Sequence, residues 1–307
     1  MIELVTSHLP SPPANELWTG DDAALVTLPT AAALVTTDVL VEGQDFDLSY
    51  CEGGDVGWKA LAVNVSDLAA MAGRPTHGVA TLALPPDTPV ILVDEIARGL
   101  AAAARRWDVA VVGGDVSAAS EISLGVTLLG VPATKRVVTR RGARPGDLVC
   151  VTGSIGGSWG GLHLLRSGRG DAAADLVERH LRPQARVDEG RRLSDVGATA
   201  MIDVSDGLAV DLTRLMRASG TGCVVDPAAV PLDPGLRALG LREDELVRGA
   251  ILGGEDFELL ATLPSYADLV AEVTVVGEVT QDQSLRFGEI DLEDLGREHG
   301  WDHLRGR

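Results

Sequence analysis

Residues 55–72 read DVGWKALAVNVSDLAAMA, from Asp55 to Ala72. Leu61, Val65, Leu68 and Ala69 recur at helical spacing, which predicts one α-helix over this stretch. Its flanks, Ala60 to Val65 and Leu68 to Met71, are apolar nearly all round, the pattern of a buried helix. Asp67 lies on this helix three residues after Asn64, so both project from one face. A buried carboxylate calls for a cation.

Working outward, Ala33 to Val39 reads as a buried strand running into Asp38. Thr76 to Leu84 reads as a strand ended by Pro85-Pro86. A second helix is expected from Val90 to Trp107, with Val93, Ile96, Ala97, Leu100 and Ala104 as its stripe. Val109 to Val112 reads as a short strand stopping at Gly113-Gly114-Asp115, and Ile122 to Val131 as a longer one. The stretch from Pro132 to Asp147 has no hydrophobic period and holds two prolines, two glycines and five basic residues. A domain boundary is expected there: residues 1–132, a linker at 133–147, and residues 148–307. Beyond it come the strand Leu148 to Val151, a glycine-rich run from Gly153 to Gly161, and three helical patterns reaching Asp195. A strand from Thr199 to Ile202 runs into Asp203, and a helix follows from Asp206 to Ala218. Strands are then expected at Cys223 to Val225, Glu258 to Leu263 and Val273 to Val279. Strand and helix runs in both halves predict two domains, α/β and α+β.

Composition removes several functional classes. The 307 residues carry 26 basic and 45 acidic side chains, a formal charge of −19, which opposes binding to a phosphate backbone. Met1 to Pro13 lacks the pattern of a signal peptide, and no apolar run approaches the ~18 residues of a spanning helix. Cys51, Cys150 and Cys223 are odd in number and far apart, as expected of reduced thiols in a cytoplasmic protein.

The informative feature is a series of acids at turns, often beside glycine. They are Gly20-Asp21-Asp22, Thr36-Thr37-Asp38, Asn64 to Asp67, Gly113-Gly114-Asp115, Asp203 to Gly207 and Gly253-Gly254-Glu255-Asp256. Any one alone is ordinary turn chemistry. Most follow an apolar strand, and α/β folds place ligand sites at strand C-terminal ends. Carboxylates gathered there repel one another unless cations intervene. Hard oxygen donors with the nearby hydroxyls of Thr36, Thr37 and Ser205 suit Mg²⁺, and glycine lets backbone amides approach a phosphate. The combination points to Mg-nucleotide chemistry.

Other motifs fail. There is no G-x-x-x-x-G-K-[ST], and neither Lys59 nor Lys135 follows a glycine. No H-E-x-x-H occurs, and His299 and His303 read as surface residues. Gly156-Gly157-Ser158-Trp159-Gly160 matches the G-x-S-x-G of serine hydrolases, but the strand before it ends several residues too early. Ser154 and Ser158 are expected at a glycine-rich helix entry instead.

Taken in order, these turns resemble the thiamine-monophosphate kinases. These enzymes share a superfamily with aminoimidazole ribonucleotide synthetase, selenophosphate synthetase and a hydrogenase-maturation protein. The resemblance runs from about Gly20 to Trp301. It is carried by Gly20 to Ala24, Lys59 to Gly73 (KALAVNVSDLAAMAG), Arg141 to Asp147, Ile202 to Gly207 (IDVSDG) and Gly253 to Leu259 (GGEDFEL). It implies transfer of the γ-phosphoryl group of ATP onto thiamine monophosphate by direct in-line attack. The implied magnesium ligands are Asp22, Thr36, Thr37, Asp38, Asp67, Asp115, Asp203 and Asp206. Trp107, Gly114, Asp115, Arg140 and Ser205 would meet ATP, and Glu255 and Trp301 would hold thiamine monophosphate, a carboxylate and an aromatic face suiting a cationic thiazolium. The implied architecture pairs an N-terminal α/β domain with its twin in a homodimer, beside a C-terminal α+β domain.

One position departs from the family, which commonly has histidine beside Phe46 where this chain has Asp45. Aspartate cannot donate to a substrate phosphate, so at this substrate position either a metal ion bridges or the contact is lost. Other superfamily activities lack their signatures. No cysteine precedes Cys51 as selenophosphate synthetase would require, residues 303–307 hold no cysteine for the maturation chemistry, and the purine enzyme's lysine-bearing loop is here Thr37 to Val41. A non-catalytic Mg-nucleotide sensor is the alternative from another class.

Overall fold

The computed structural model describes Asn15, the backbone of residues 24–27, residues 32–268, 273–292 and 294. Two sheets dominate. The first has the order β1-β2-β5-β3-β4, built from β1 (Ala24–Thr27), β2 (Ala32–Val41), β3 (Gly73–Leu84), β4 (Ala110–Ala118) and β5 (Ser123–Pro132). Helices α1 (Gly53–Ala70) and α2 (Val90–Arg106) connect β2 to β3 and β3 to β4.

Period-2 alternation sets which face these helices cover. Leu34 and Leu40 of β2 and Leu124, Val126 and Leu128 of β5 join a core with Leu61, Val65, Leu68 and Ile96 of the two helices. The intervening residues face the other way, where Val39, Val79 and Leu129 are exposed. Strand β4 is exposed along its length, Val112 to 65% and Val116 to 70%. The first sheet is therefore roofed on one side only. Helices α1 and α2 come close through paired glycines: a Cβ on Gly57 would lie 2.0 Å from the Ile96 carbonyl oxygen, and one on Gly99 1.9 Å from that of Gly54.

The second sheet has the order β12-β11-β8-β10-β6-β9-β7. Its strands are β6 (Leu148–Thr152), β7 (Ala200–Asp203), β8 (Gly222–Val225), β9 (Leu259–Leu263), β10 (Val273–Thr280), β11 (Leu285–Phe287) and β12 (Ile290–Asp291). Its helices are α3 (Gly157–Arg166), α4 (Ala174–Leu181), α5 (Val187–Asp195), α6 (Leu208–Ser219) and α7 (Glu243–Leu252). Val149, Val151, Ile202 and Leu260 pack into one core with α3, α6 and α7. Their neighbours Cys150, Met201, Leu259 and Ala261 pack into another on the opposite face, which takes in Leu193 of α5 and Ala69 and Ala70 of α1.

Helix α1 thus serves both halves, which is why nearly every residue of it is buried. Its start is fixed by the Glu52 amide donating to Asp55 Oδ2 at 3.0 Å, and Asp55 also accepts from Arg182 Nε at 2.7 Å. Trp58 Nε1 donates to the Pro183 carbonyl at 2.9 Å, so the segment before α5 is strapped to α1. No helix among the described residues is long and apolar enough to cross a membrane.

Two sequence expectations are corrected. The strand expected to stop at Val112 continues through Gly113-Gly114-Asp115 to Ala118, because its parallel pairing with β3 persists: Val79 with Gly113, Ala80 with Gly114, Thr81 with Asp115. Asp115 lies inside a strand, not at its end. The helix expected from Asp206 starts at Leu208, because Gly207 has φ 105° and holds Ser205 and Asp206 in the preceding turn.

Candidate active site

A cleft of about 920 Å³ runs between the two halves. Its walls are the end of β2, the turn after it, α1, α3, the turn after β7, α7 and the Gly253 to Phe257 loop. Among the described lining residues are seven carboxylates, Asp38, Asp45, Asp67, Asp203, Asp206, Glu245 and Glu255, against the two arginines Arg166 and Arg248. Such a wall attracts cations and repels a bare triphosphate.

Asp67, Asp203 and Asp206 are held by neighbours that fix their direction. Thr36 is buried behind the wall and its hydroxyl donates to Asp67 Oδ2 at 2.5 Å, so β2 orients the α1 carboxylate. Ser66, one residue earlier on α1, donates to Asp203 Oδ2 at 2.6 Å across the two halves. Asp206 pairs with Arg214 of α6, and Arg214 also meets Asp211 Oδ1 at 2.9 Å. Burial opposes the charged Arg214 guanidinium, but Asp206 and Asp211 outweigh it and hold its pKa above the ordinary value. The other Asp211 oxygen accepts from the amides of Ser205 at 3.0 Å and Asp206 at 2.9 Å, so a fully buried aspartate shapes this turn.

The GGEDFEL loop docks on the same turn. The Glu255 amide donates to the Ser205 carbonyl at 2.8 Å and the Phe257 amide to that of Val204 at 2.9 Å. Gly254 permits this approach, since a Cβ there would lie 2.2 Å from the Ser205 oxygen. Adjacent acids in this loop divide their work. Glu255, at φ 66°, turns into the cleft. Asp256 turns inward and accepts the amides of Gly156 at 2.6 Å and Ser158 at 3.0 Å, capping α3. Burial of its carboxyl pushes Asp256 up to about 7, against the pull of those two amides.

The cleft therefore unites Thr37, Asp38, Asp45, Asp67, Asp203, Ser205, Asp206 and Glu255 of the expected site. Asp45 spends one oxygen on the Val41 amide at 2.9 Å, closing the turn after β2. Gly114 and Asp115 lie on exposed β4 instead, where Asp115 Oδ2 accepts from Ser117 at 2.9 Å. Register places Asp38, Val126, Ala80 and Gly114 in one row across four strands, a span of roughly 14 Å. Trp107 is buried in the first core with its ring 5.3 Å from that of Trp58, away from the cleft wall. Arg140 sits in the segment joining the halves, where its carbonyl accepts from Ser219 at 3.1 Å and its charge bears on Arg214. Asp22 and Trp301 lie outside the described residues.

Among the described residues no three His, Cys, Asp or Glu side chains converge closely enough to cage an ion by themselves. The donors in the cleft are carboxylates and hydroxyls, which fit a hard divalent ion that completes its shell with water and phosphate oxygens. The expected helix entry holds, with Gly157 opening α3. Ser158 Oγ lies 3.0 Å from His180 Nδ1, and Glu255 Oε2 lies 3.4 Å from that same nitrogen. A hydrolase relay needs serine and carboxylate on opposite nitrogens of the ring, so this trio is not one.

Sequence reasoning missed Lys59, His180 and Trp159. Lys59 is 3% exposed and its ammonium meets Glu255 Oε1 at 2.6 Å. It sits on the same apolar helix as Asp67, so the reasoning that singled out Asp67 also applies to it. His180 is buried, and burial, then Lys59 and Arg166, push its pKa well below 6.5, which keeps it neutral. Trp159 packs on Gly249 and Gly253, where an added Cβ would lie 2.1 Å from its ring and 2.5 Å from its Cβ, respectively.

Comparison with known proteins agrees with this geometry. The AIR synthase related protein N-terminal domain matches residues 20–132 and the corresponding C-terminal domain residues 144–288. Thiamine-monophosphate kinase of Escherichia coli K12 is 35% identical over 303 residues, covering 92% of each chain. That of Pyrococcus abyssi is 34% identical, covering 94% of this chain and 91% of the relative. Among solved structures, AaThiL complexed with AMPPCP and TMP superposes with a TM-score of 0.85 at 34% identity, covering 98% of this chain and 95% of that one. The hydrogenase maturation protein HypE in complex with ATP shares the fold at a TM-score of 0.66 and 21% identity, covering 85% of this chain and 80% of that one. By its two matched domains and its relatives along nearly its whole length, this chain belongs to the thiamine-monophosphate kinase family of AIR synthase related proteins.

Proposed function

We propose that this chain transfers the γ-phosphoryl group of ATP to the phosphate of thiamine monophosphate, forming thiamine diphosphate and ADP. The observation that carries the reading is the meeting of Asp38 and Asp67 from one half with Asp203, Asp206 and Glu255 from the other in a single cleft. An oxygen of the acceptor phosphate attacks the γ-phosphorus, and the bond to the β,γ-bridging oxygen breaks in line. That acceptor oxygen is already anionic, so the chain needs no covalent nucleophile and no strong base. Its task is to bring two polyanions together and hold them aligned. Asp38, Asp67, Asp203 and Asp206, with Thr37 and Ser205 beside them, would hold Mg²⁺, and Thr36 would act by orienting Asp67. Bound Mg²⁺ supplies positive charge against the phosphates and the departing ADP. Ser205 and Arg140 would meet ATP, and Glu255 and Trp301 the thiamine moiety.

The exposed face of the first sheet suits a second copy, making the protein a homodimer. Val39, Val79 and Leu129 form an apolar surface that solvent alone leaves uncompensated. Gly114 and Asp115 would contact ATP where that face is covered, and Asp115 would complete the metal ligands. The free cysteines and the use of ATP suit the cytoplasm.

The test is a coupled assay with ATP, MgCl₂ and thiamine monophosphate, with free thiamine in parallel. The expected result is ADP release in step with thiamine diphosphate, dependent on thiamine monophosphate. Nucleotide binding without turnover would replace the kinase with a sensor.

A further inference from the structure

We infer that Lys59 is a positioning residue for substrate recognition, locking Glu255 in the direction from which it meets the thiazolium ring. This rests on the kinase reading above. The Lys59 ammonium meets Glu255 Oε1 at 2.6 Å and donates to the Asp45 carbonyl at 3.1 Å. The Lys59 side chain is 4% exposed and that of Glu255 31%, so the lysine has traded its water for these partners while the carboxylate still opens on the cleft. Glu255 Oε2 is approached from the other side by His180 Nδ1 at 3.4 Å, a neutral ring held by Ser158.

The Glu255 carboxylate is thus held by α1 of the first half and flanked by the His180 ring on α4 of the second, while its amide is tied to the Ser205 turn. Its backbone stands at φ 66°, a conformation a non-glycine residue adopts only when its surroundings fix it. A glutamate otherwise has several rotamers, and fixing one before the substrate arrives lowers the cost of binding. The same ammonium fixes the Asp45 turn, so one buried cation sets two walls of the thiamine end of the cleft. The nucleotide end, at Asp67 and Asp206, is held by other partners, Thr36 and Arg214.

The two ends should therefore separate kinetically. Lys59→Met is expected to raise KM for thiamine monophosphate about tenfold and to leave KM for ATP within about twofold. Glu255→Gln should give the same split, and Lys59→Met combined with Glu255→Gln should be no worse in KM than the worse single variant. The double variant removes both charges of the pair, so it reads out even if Lys59→Met alone fails to fold. Its KM is then compared with that of Glu255→Gln, and a further rise would overturn the inference. Equal shifts in both KM values, or no shift, in Lys59→Met would overturn it too. A wild-type protein without ADP release dependent on thiamine monophosphate would instead overturn the kinase reading, and this inference with it.

Discussion

The two sheets of this chain solve the same burial problem differently. In the second sheet, odd and even residues of β6, β7 and β9 feed two separate cores, so both faces are closed within one chain. In the first, the alternation produces one core under α1 and α2 and one open face, with β4 exposed throughout. A sheet with two packed faces is finished as a monomer. One with an open apolar face is finished by something else, and the carboxylates of the cleft lie along the seam between the two.

The sharpest way to break this contrast is to place a charge on each sheet. Met201→Asp buries a carboxylate in the second sheet and is expected to cost about 4 kcal/mol or more, unfolding much of the protein by circular dichroism. Leu129→Asp, on the open face, should change the stability of the single chain by only about 0.5 kcal/mol, yet halve the mass seen by sedimentation. A monomeric wild type would remove the proposed role of that face.

The seam is tested next. Asp67→Asn and Asp206→Asn take one charge from each half, and each is expected to lower turnover about a thousandfold with the fold intact. Retained activity in both at ordinary magnesium concentration would remove the ligand assignment.

A smaller effect concerns the closed half alone. Asp256 is pushed up to about 7 by burial, above its ordinary 3.8. Between these values the native state keeps a proton that the unfolded chain has released. The stabilisation from Asp256 is therefore fully present below the lower value and is lost as pH rises through the upper one. Asp256→Asn does not titrate, so the stability difference between wild type and variant should fall as pH rises across this window, then level off. A difference that stays flat in thermal melts would contradict a raised pKa.

The smallest change is expected at Asp45→His. The Asp45 carboxylate closes its own turn through the Val41 amide, and a histidine ring nitrogen can accept the same bond. Activity should stay within about fivefold of wild type, and complete loss would give Asp45 a role of its own.

Much of this was legible in the residues because period and burial agree. Helix α1 was readable from its apolar stripe, and Asp67 from being charged inside it. What stayed hidden depends on pairing between distant segments. Strand β4 runs on through two glycines because β3 offers partners in register, which no local pattern reports. Helix α7 carries Leu246, Val247, Ala250 and Ile251 on one face behind an acidic first turn, but ten residues ending at Gly253-Gly254 are too short a run for period alone to separate a helix from a loop. The opposite fates of Glu255 and Asp256 follow from the twist of that loop, and neither residue type announces it. Lys59 was identifiable in principle, but only its meeting with Glu255, nearly two hundred positions away, gives it a task.

Helix α1 has a practical consequence for anyone dissecting the protein. Ala69 and Ala70 cover part of the second sheet, so a fragment beginning at Leu148 would lose that part of the cover over Cys150, Met201 and Leu259 and keep only Leu193 of α5 and its neighbours. The covalent order of the chain suggests two separable modules, but the packing makes the first the guardian of the second.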